Sequence, residues 1–175
     1  LFSNGSMTTL SGKAKISIDE FKQAPFKGDS KSTVDSLEKE PSSSQTKIKL
    51  NYGDLVFNVK ALNANSSFIM DSPVGSAVIR GTVGQLTVSI DADGNATGGV
   101  NMVEGSVSFT DPSGNTLPVP AGQATIVQVD DDGKVTSYKF VITNHLSNLL
   151  RNPDDFDNVR LGLTVSSDYL TTQNT

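Results

Sequence analysis

The sequence predicts an all-β fold: many short strands in a sandwich, a roll or a solenoid-like arrangement, with a short C-terminal helix. Three observations predict it. Apolar and polar residues alternate in short runs with the two-residue period that sends successive side chains to opposite faces of a sheet. Gly, Asn, Asp and Pro bound those runs, with turn signals about every 8–12 residues. Finally, Gly5-Ser6-Met7-Thr8-Thr9-Leu10, Gly53-Asp54-Leu55-Val56-Phe57 and Gly105-Ser106-Val107-Ser108-Phe109 each set a glycine before alternating apolar residues, a recurrence that stacked strands would generate.

Taken in order, strands are expected at residues 14–18, 47–50, 55–62, 67–71, 77–80, 85–90, 99–103, 106–110, 116–119, 124–129 and 135–142. Three connections declare themselves: Asp91-Ala92-Asp93-Gly94-Asn95, Asp111-Pro112-Ser113-Gly114-Asn115 and Asp130-Asp131-Asp132-Gly133-Lys134. In each, glycine supplies a positive φ and the leading Asp caps the local backbone. Residues 25–45 break the pattern. Rich in Ser, Lys, Asp and Glu, they read as an extended mobile insertion with one helical turn at 34–39, before Pro41. Towards the C-terminus, Leu146, Leu149 and Leu150 have helical spacing behind Thr143 or Asn144 as N-cap, and Pro153 stops that helix. A second short helix is expected from Asp154 or Asp155, and a frayed tail from Thr171. The organisation is therefore an all-β domain over 1–142 and a helical extension over 143–175.

With 175 residues, 35% of them hydrophobic, the chain is long enough for one domain with a real core. A net charge of -5 and 14 scattered basic residues argue against a nucleic-acid partner, which demands clustered Lys and Arg. No apolar run approaches the ~20 residues that cross a bilayer. The absence of Cys removes disulfides, thiolate nucleophiles and the common zinc sites. No cofactor is implied. The chain opens at Leu1 rather than Met, which reads as a processed or trimmed piece of a longer precursor.

Candidate chemistry dissolves on inspection. The loop at Asp91 has oxygen ligands at alternate positions, but the twelfth position, where an EF-hand needs a bidentate Glu, is Met102. It and the Asp130 loop read as hairpin turns that could at most bind calcium weakly. His145, the single histidine, sits in the expected C-terminal helix with no Gly-x-Ser-x-Gly elbow to serve. The carboxylates Glu38 and Glu40 fall in the insertion, and Asp154, Asp155 and Asp157 follow the helix stop; a hydrolytic pair must converge on a rigid cleft. No catalytic residue and no metal site is expected.

One block remains. Phe68-Ile69-Met70-Asp71-Ser72-Pro73-Val74-Gly75-Ser76-Ala77-Val78-Ile79-Arg80-Gly81-Thr82 runs extended into a proline, which removes a ladder donor, then rises through small and β-branched residues to Arg-Gly-Thr. This block resembles the "T-P…R-G-T" element of the FecR family, with Ser72 in place of the usual Thr. Gly5-Ser6-Met7-Thr8-Thr9-Leu10, Gly53-Asp54-Leu55-Val56-Phe57-Asn58-Val59, Glu104-Gly105-Ser106-Val107 and Pro120-Ala121-Gly122-Gln123 are similar to other elements of that family, in order. The resemblance implies an extracytoplasmic, all-β, non-enzymatic domain, periplasmic or at the bacterial cell surface. It implies work in envelope signalling through contact with an envelope protein. Family members that relay signals also carry a sigma-factor-binding segment, a transmembrane helix and a transporter-binding subdomain, which this chain lacks. Ser72, Pro73, Arg80, Gly81 and Thr82 are the expected binding residues, with Arg80 folded over the domain as a strut against carbonyls or a carboxylate. The alternative is a surface adhesion or polysaccharide-binding module.

Overall fold

The computed structural model describes residues 1–142 apart from 12, 28–32, 34 and 35. The expected C-terminal helices, His145 and Asp154, Asp155 and Asp157 lie outside the described residues. Eleven strands are described: β1 (Met7–Leu10), β2 (Lys15–Gln23), β3 (Ser44–Val59), β4 (Ser67–Ser72), β5 (Gly75–Ile79), β6 (Thr82–Ile90), β7 (Ala96–Glu104), β8 (Ser106–Thr110), β9 (Thr116–Pro120), β10 (Gln123–Val129) and β11 (Val135–Ile142).

The expected strands at 47–50 and 55–62 are one continuous strand, β3, and its bend organises the molecule. Its N-terminal half pairs with β2 and runs parallel to β4; its C-terminal half pairs with β1 and β6. Two sheets therefore share β3: β11-β10-β7-β6-β3-β1 and β2-β3-β4-β5-β8-β9. We call them the A and B sheets. The bend sits at Gly53, where φ is +97° and an added Cβ would lie 2.5 Å from Cα of Ala14. Only a residue without a side chain takes that turn beside a neighbouring backbone.

Hairpins then alternate between the sheets: β4-β5 in B, β6-β7 in A, β8-β9 in B, β10-β11 in A. Every switch is a glycine corner. Gly81 joins β5 to β6 with φ of +89° and no room for a Cβ, which would fall 2.9 Å from Cα of Ala61. Gly105 and Gly122 hold the next two corners, also at positive φ. The recurring glycine of the sequence thus marks corners of a curled two-sheet roll rather than units of a stacked repeat.

Inward residues of both sheets meet in one core. Ile48, Leu50, Phe68, Met70, Ile79 and Phe109 from B face Leu55, Phe57, Leu86, Val100, Met102 and Val127 from A, all 0–1% exposed. Burying such side chains contributes about 1.5–3 kcal/mol each relative to exposure.

Three expectations need correction. Residues 60–62 leave β3, and Ala61 instead forms a parallel bridge with Lys39. The proposed insertion is shorter at its C-terminal end, because Ser44 and Gln45 already belong to β3. Of the helical turn expected at 34–39, residues 34 and 35 lie outside the described residues, and Lys39 is bridged as a strand residue.

Candidate interaction surface

The three Asp-led loops close as expected. In each, the glycine N–H donates to the leading Asp carbonyl: Gly94 to Asp91, Gly114 to Asp111, Gly133 to Asp130, at 2.9–3.2 Å. The Asp side chains are turned onto their own loops. Asp91 accepts from the backbone and side-chain nitrogens of Asn95, both at 2.9 Å; Asp111 does the same with Asn115, both at 3.0 Å. Asp130 accepts from Lys134 N at 2.7 Å. The Asn95 side chain, helped by the loop N–H groups and opposed by slight desolvation, holds the Asp91 carboxyl below its ordinary value. Among the described residues no group of three or more His, Asp or Glu is arranged to hold a metal.

Glu40, expected in a mobile stretch, is 4% exposed. It lies where the two ends of bent β3 converge. Its Oε1 accepts from Asn63 N at 2.5 Å and from the Ser66 hydroxyl; its Oε2 accepts from Ser44 Oγ at 2.6 Å. Ser44 Oγ in turn accepts from Asn4 Nδ2 at 3.1 Å, and Ser44 N donates to Ser66 Oγ at 3.0 Å. Glu40 N donates to Ala61 O at 3.1 Å. A buried carboxyl is tolerable when its lone pairs are satisfied in this way. The knot joins the N-terminal loop, the residue-40 segment, the start of β3 and the loop into β4. Its groups face one another, so it holds the fold and offers nothing to a substrate.

The five expected binding residues do not converge. Ser72 and Pro73 belong to the hairpin tip between β4 and β5, where Ser72 Oγ donates to Gly75 O at 2.7 Å. Arg80, Gly81 and Thr82 lie at the other end of β5, roughly 15 Å away at ~3.3 Å per strand residue. There the corners stack: Gly81 against Ala61, Gly105 against Thr82, and Ala121 N donating to Gly105 O at 2.8 Å. Thr82 is buried and its hydroxyl has no hydrogen-bond partner among the described residues. Arg80 is exposed and forms no hydrogen bond or ion pair with a described residue, so it is no strut.

The surface left open is β2. Among the described residues this nine-residue strand pairs with β3 alone. Ile18 and Phe21 lie opposite the buried Ile48 and Thr46, and so on the inward face, yet they are 55% and 36% exposed. A bulge at Asp19 breaks the alternation, which is why an expected strand at 14–18 hides the remainder, Asp19 to Gln23. Glu20 and Lys22 stand together on the outward face, bridged at 2.6 Å. Phe2 packs its ring 5.2 Å from Phe21 and edge-on to Phe68. Beside the end of β2, Lys22, Gln23, Ser43, Gln45 and Asn65 line an open groove of about 260 Å³.

No family model matches the chain, and no curated protein matches it. Two solved chains, each described as a candidate anti-sigma factor from Parabacteroides distasonis, align with a TM-score of 0.45, at 11% and 12% identity. The alignments take in 84% and 77% of this chain but 65% and 62% of theirs, so this chain spans less than two thirds of either.

Proposed function

We propose that this chain is a non-enzymatic, FecR-like interaction domain of the bacterial envelope, periplasmic or at the cell surface, acting in signal sensing or regulation through protein–protein contact. The observation that carries this reading is β2: among the described residues, a nine-residue edge strand paired on one side alone, with Ile18 and Phe21 part-exposed on its inward face. An open edge beside uncovered apolar side chains is the arrangement that strand addition uses. The polar clusters that could have supported chemistry, Glu40 and the Asp loops, are closed on themselves. The envelope setting is supported by the motif resemblance, several of whose glycines serve the fold as corners.

The test is a photoreactive residue placed at Ile18, in the cells that make the protein, with the same residue at Val78 as control. Val78 is 41% exposed on the outward face of β5. Crosslinking to a polypeptide in the envelope fraction from position 18 and not from 78 is expected. Equal labelling from both, or none from 18, contradicts the reading. A second reading, sugar binding, is favoured by the amide-lined groove at Gln23, Gln45 and Asn65; glycan titration that loses heat in Asn65→Ala would support it.

A further inference from the structure

We propose that β2 pairs antiparallel with β2 of a second copy of this chain, about a two-fold axis through Phe21, so that the B sheet runs on from one copy into the other. The inference rests on reading β2 as the contact edge and names its occupant.

The main chain fixes which residues can take part. Ala24 N donates to Ser43 O at 2.9 Å, directly across the ladder. Antiparallel partners alternate between hydrogen-bonded and non-hydrogen-bonded pairs. Lys22 and Glu20 therefore turn their main-chain groups to β3, and Phe21 and Gln23 turn theirs outward. Ser44, opposite Gln23, confirms the alternation: its N–H points away from β2, to Ser66 Oγ.

Outward-facing residues must meet outward-facing residues, which leaves three registers centred between Glu20 and Lys22. Centring on Glu20 opposes two glutamates, and centring on Lys22 opposes two lysines; both juxtapositions repel. Centring on Phe21 sets Glu20 of each copy against Lys22 of the other. The bridge now made within one strand would become two bridges between strands. The same register brings the two Phe21 rings side by side on the inward face, covering the part of each that is now exposed. The segment Glu20-Phe21-Lys22 is thus its own complement. At the other edge of the B sheet, Pro118 and Pro120 of β9 have no N–H to offer a partner.

Sedimentation velocity over a concentration series at low salt tests this. The expected mass rises from the 18.5 kDa of the chain towards twice that value. Glu20→Lys turns two attractions into two repulsions and should weaken the dimer roughly tenfold; adding Lys22→Glu should restore it. The chain has no Cys, so a single introduced thiol reports register. Phe21→Cys should oxidise to a linked dimer, since Cα atoms across a hydrogen-bonded antiparallel pair lie about 5.5 Å apart, within disulfide reach. Gln23→Cys should not, because it would face Asp19 of the other copy. A chain monomeric at every concentration, while position 18 still crosslinks a different polypeptide, overturns the self-pair and leaves the contact edge standing. A dimer indifferent to Glu20→Lys, with no Phe21→Cys linkage, places the dimer interface elsewhere and overturns the proposal. Neither dimer nor crosslink overturns both.

Discussion

Lys15-Ile16-Ser17-Ile18 of β2 and Lys47-Ile48-Lys49-Leu50 of β3 carry almost the same pattern, and they lie side by side with Ile18 opposite Ile48. Ile48 is 0% exposed and Ile18 is 55% exposed. Their composition does not account for the gap. β3 has a strand on each side over residues 45–49 and 55–58, and Glu40 ties its first residue, Ser44, to the loop that follows its last, whereas among the described residues β2 is the last strand of its sheet. Position in the sheet decides which alternating segment holds the fold and which remains available to a partner.

The sharpest way to break this comparison is to truncate both isoleucines. Ile48→Ala should cost about 4 kcal/mol, as buried large-to-small changes do, and Ile18→Ala about 0.5 kcal/mol or less. Urea unfolding monitored by circular dichroism reads both, and equal losses would refute the assignment of core and edge.

Glu40→Ala should cost about 3 kcal/mol, because Ser44, Ser66 and Asn63 would lose a buried acceptor. Glu40→Gln, keeping one acceptor and the shape, should lose about 1 kcal/mol. A Glu40→Ala protein as stable as the parent in the same unfolding experiment would mean that the ends of β3 need no knot.

The corners and the loop tips sharpen the contrast further. Gly53→Ala meets both a forbidden φ and the Ala14 backbone, for about 3 kcal/mol, while Gly133→Ala, with nothing within 4 Å of its Cβ, meets only the φ penalty of about 1 kcal/mol. Thermal unfolding midpoints should fall in that order.

The smallest effect is that of acid. Burial raises the Asp71 carboxyl, but the Ser76 hydroxyl and the Lys47 ammonium at 2.9 Å outweigh it and hold it below the ordinary 3.8. Asp91 is likewise held low by Asn95. A carboxyl that titrates lower when folded contributes fully above its unfolded value and loses that contribution as pH falls through the folded one. Stability should therefore decline modestly below about pH 4, the unfolded carboxylate range. In Asp71→Asn that decline should be shallower; an unchanged acid limb would remove Asp71 from the account.

Much of this fold was legible. Alternation located the strands after residue 65 to within a few residues, and the three Asp-led turns closed as their residue types demand. The bend in β3 was hidden because Gly53 reads as a boundary whether the chain stops there or turns a corner. Glu40 was hidden by its neighbours: Ser- and Lys-rich composition signals solvent, and only the convergence of Ser44 with the distant Asn63 and Ser66 makes the site dry. The end of β2 was hidden by one extra residue, Asp19, that shifts the alternation. A search for a period-two run resumed after a single insertion would have found Glu20-Phe21-Lys22-Gln23. The five expected binding residues were grouped by nearness in sequence, and a five-residue strand between Pro73 and Arg80 sets them at opposite ends.

The most direct test of the difference between edge and centre is residue-resolved amide hydrogen exchange on the dilute chain. The outward amides of Phe21 and Gln23 should exchange by local fluctuation, orders of magnitude faster than those of Ile48, Leu50 and Phe57, which should require global opening. Phe21 and Gln23 amides protected as long as those of β3 in the dilute chain would show that the edge is already covered, and would contradict the account.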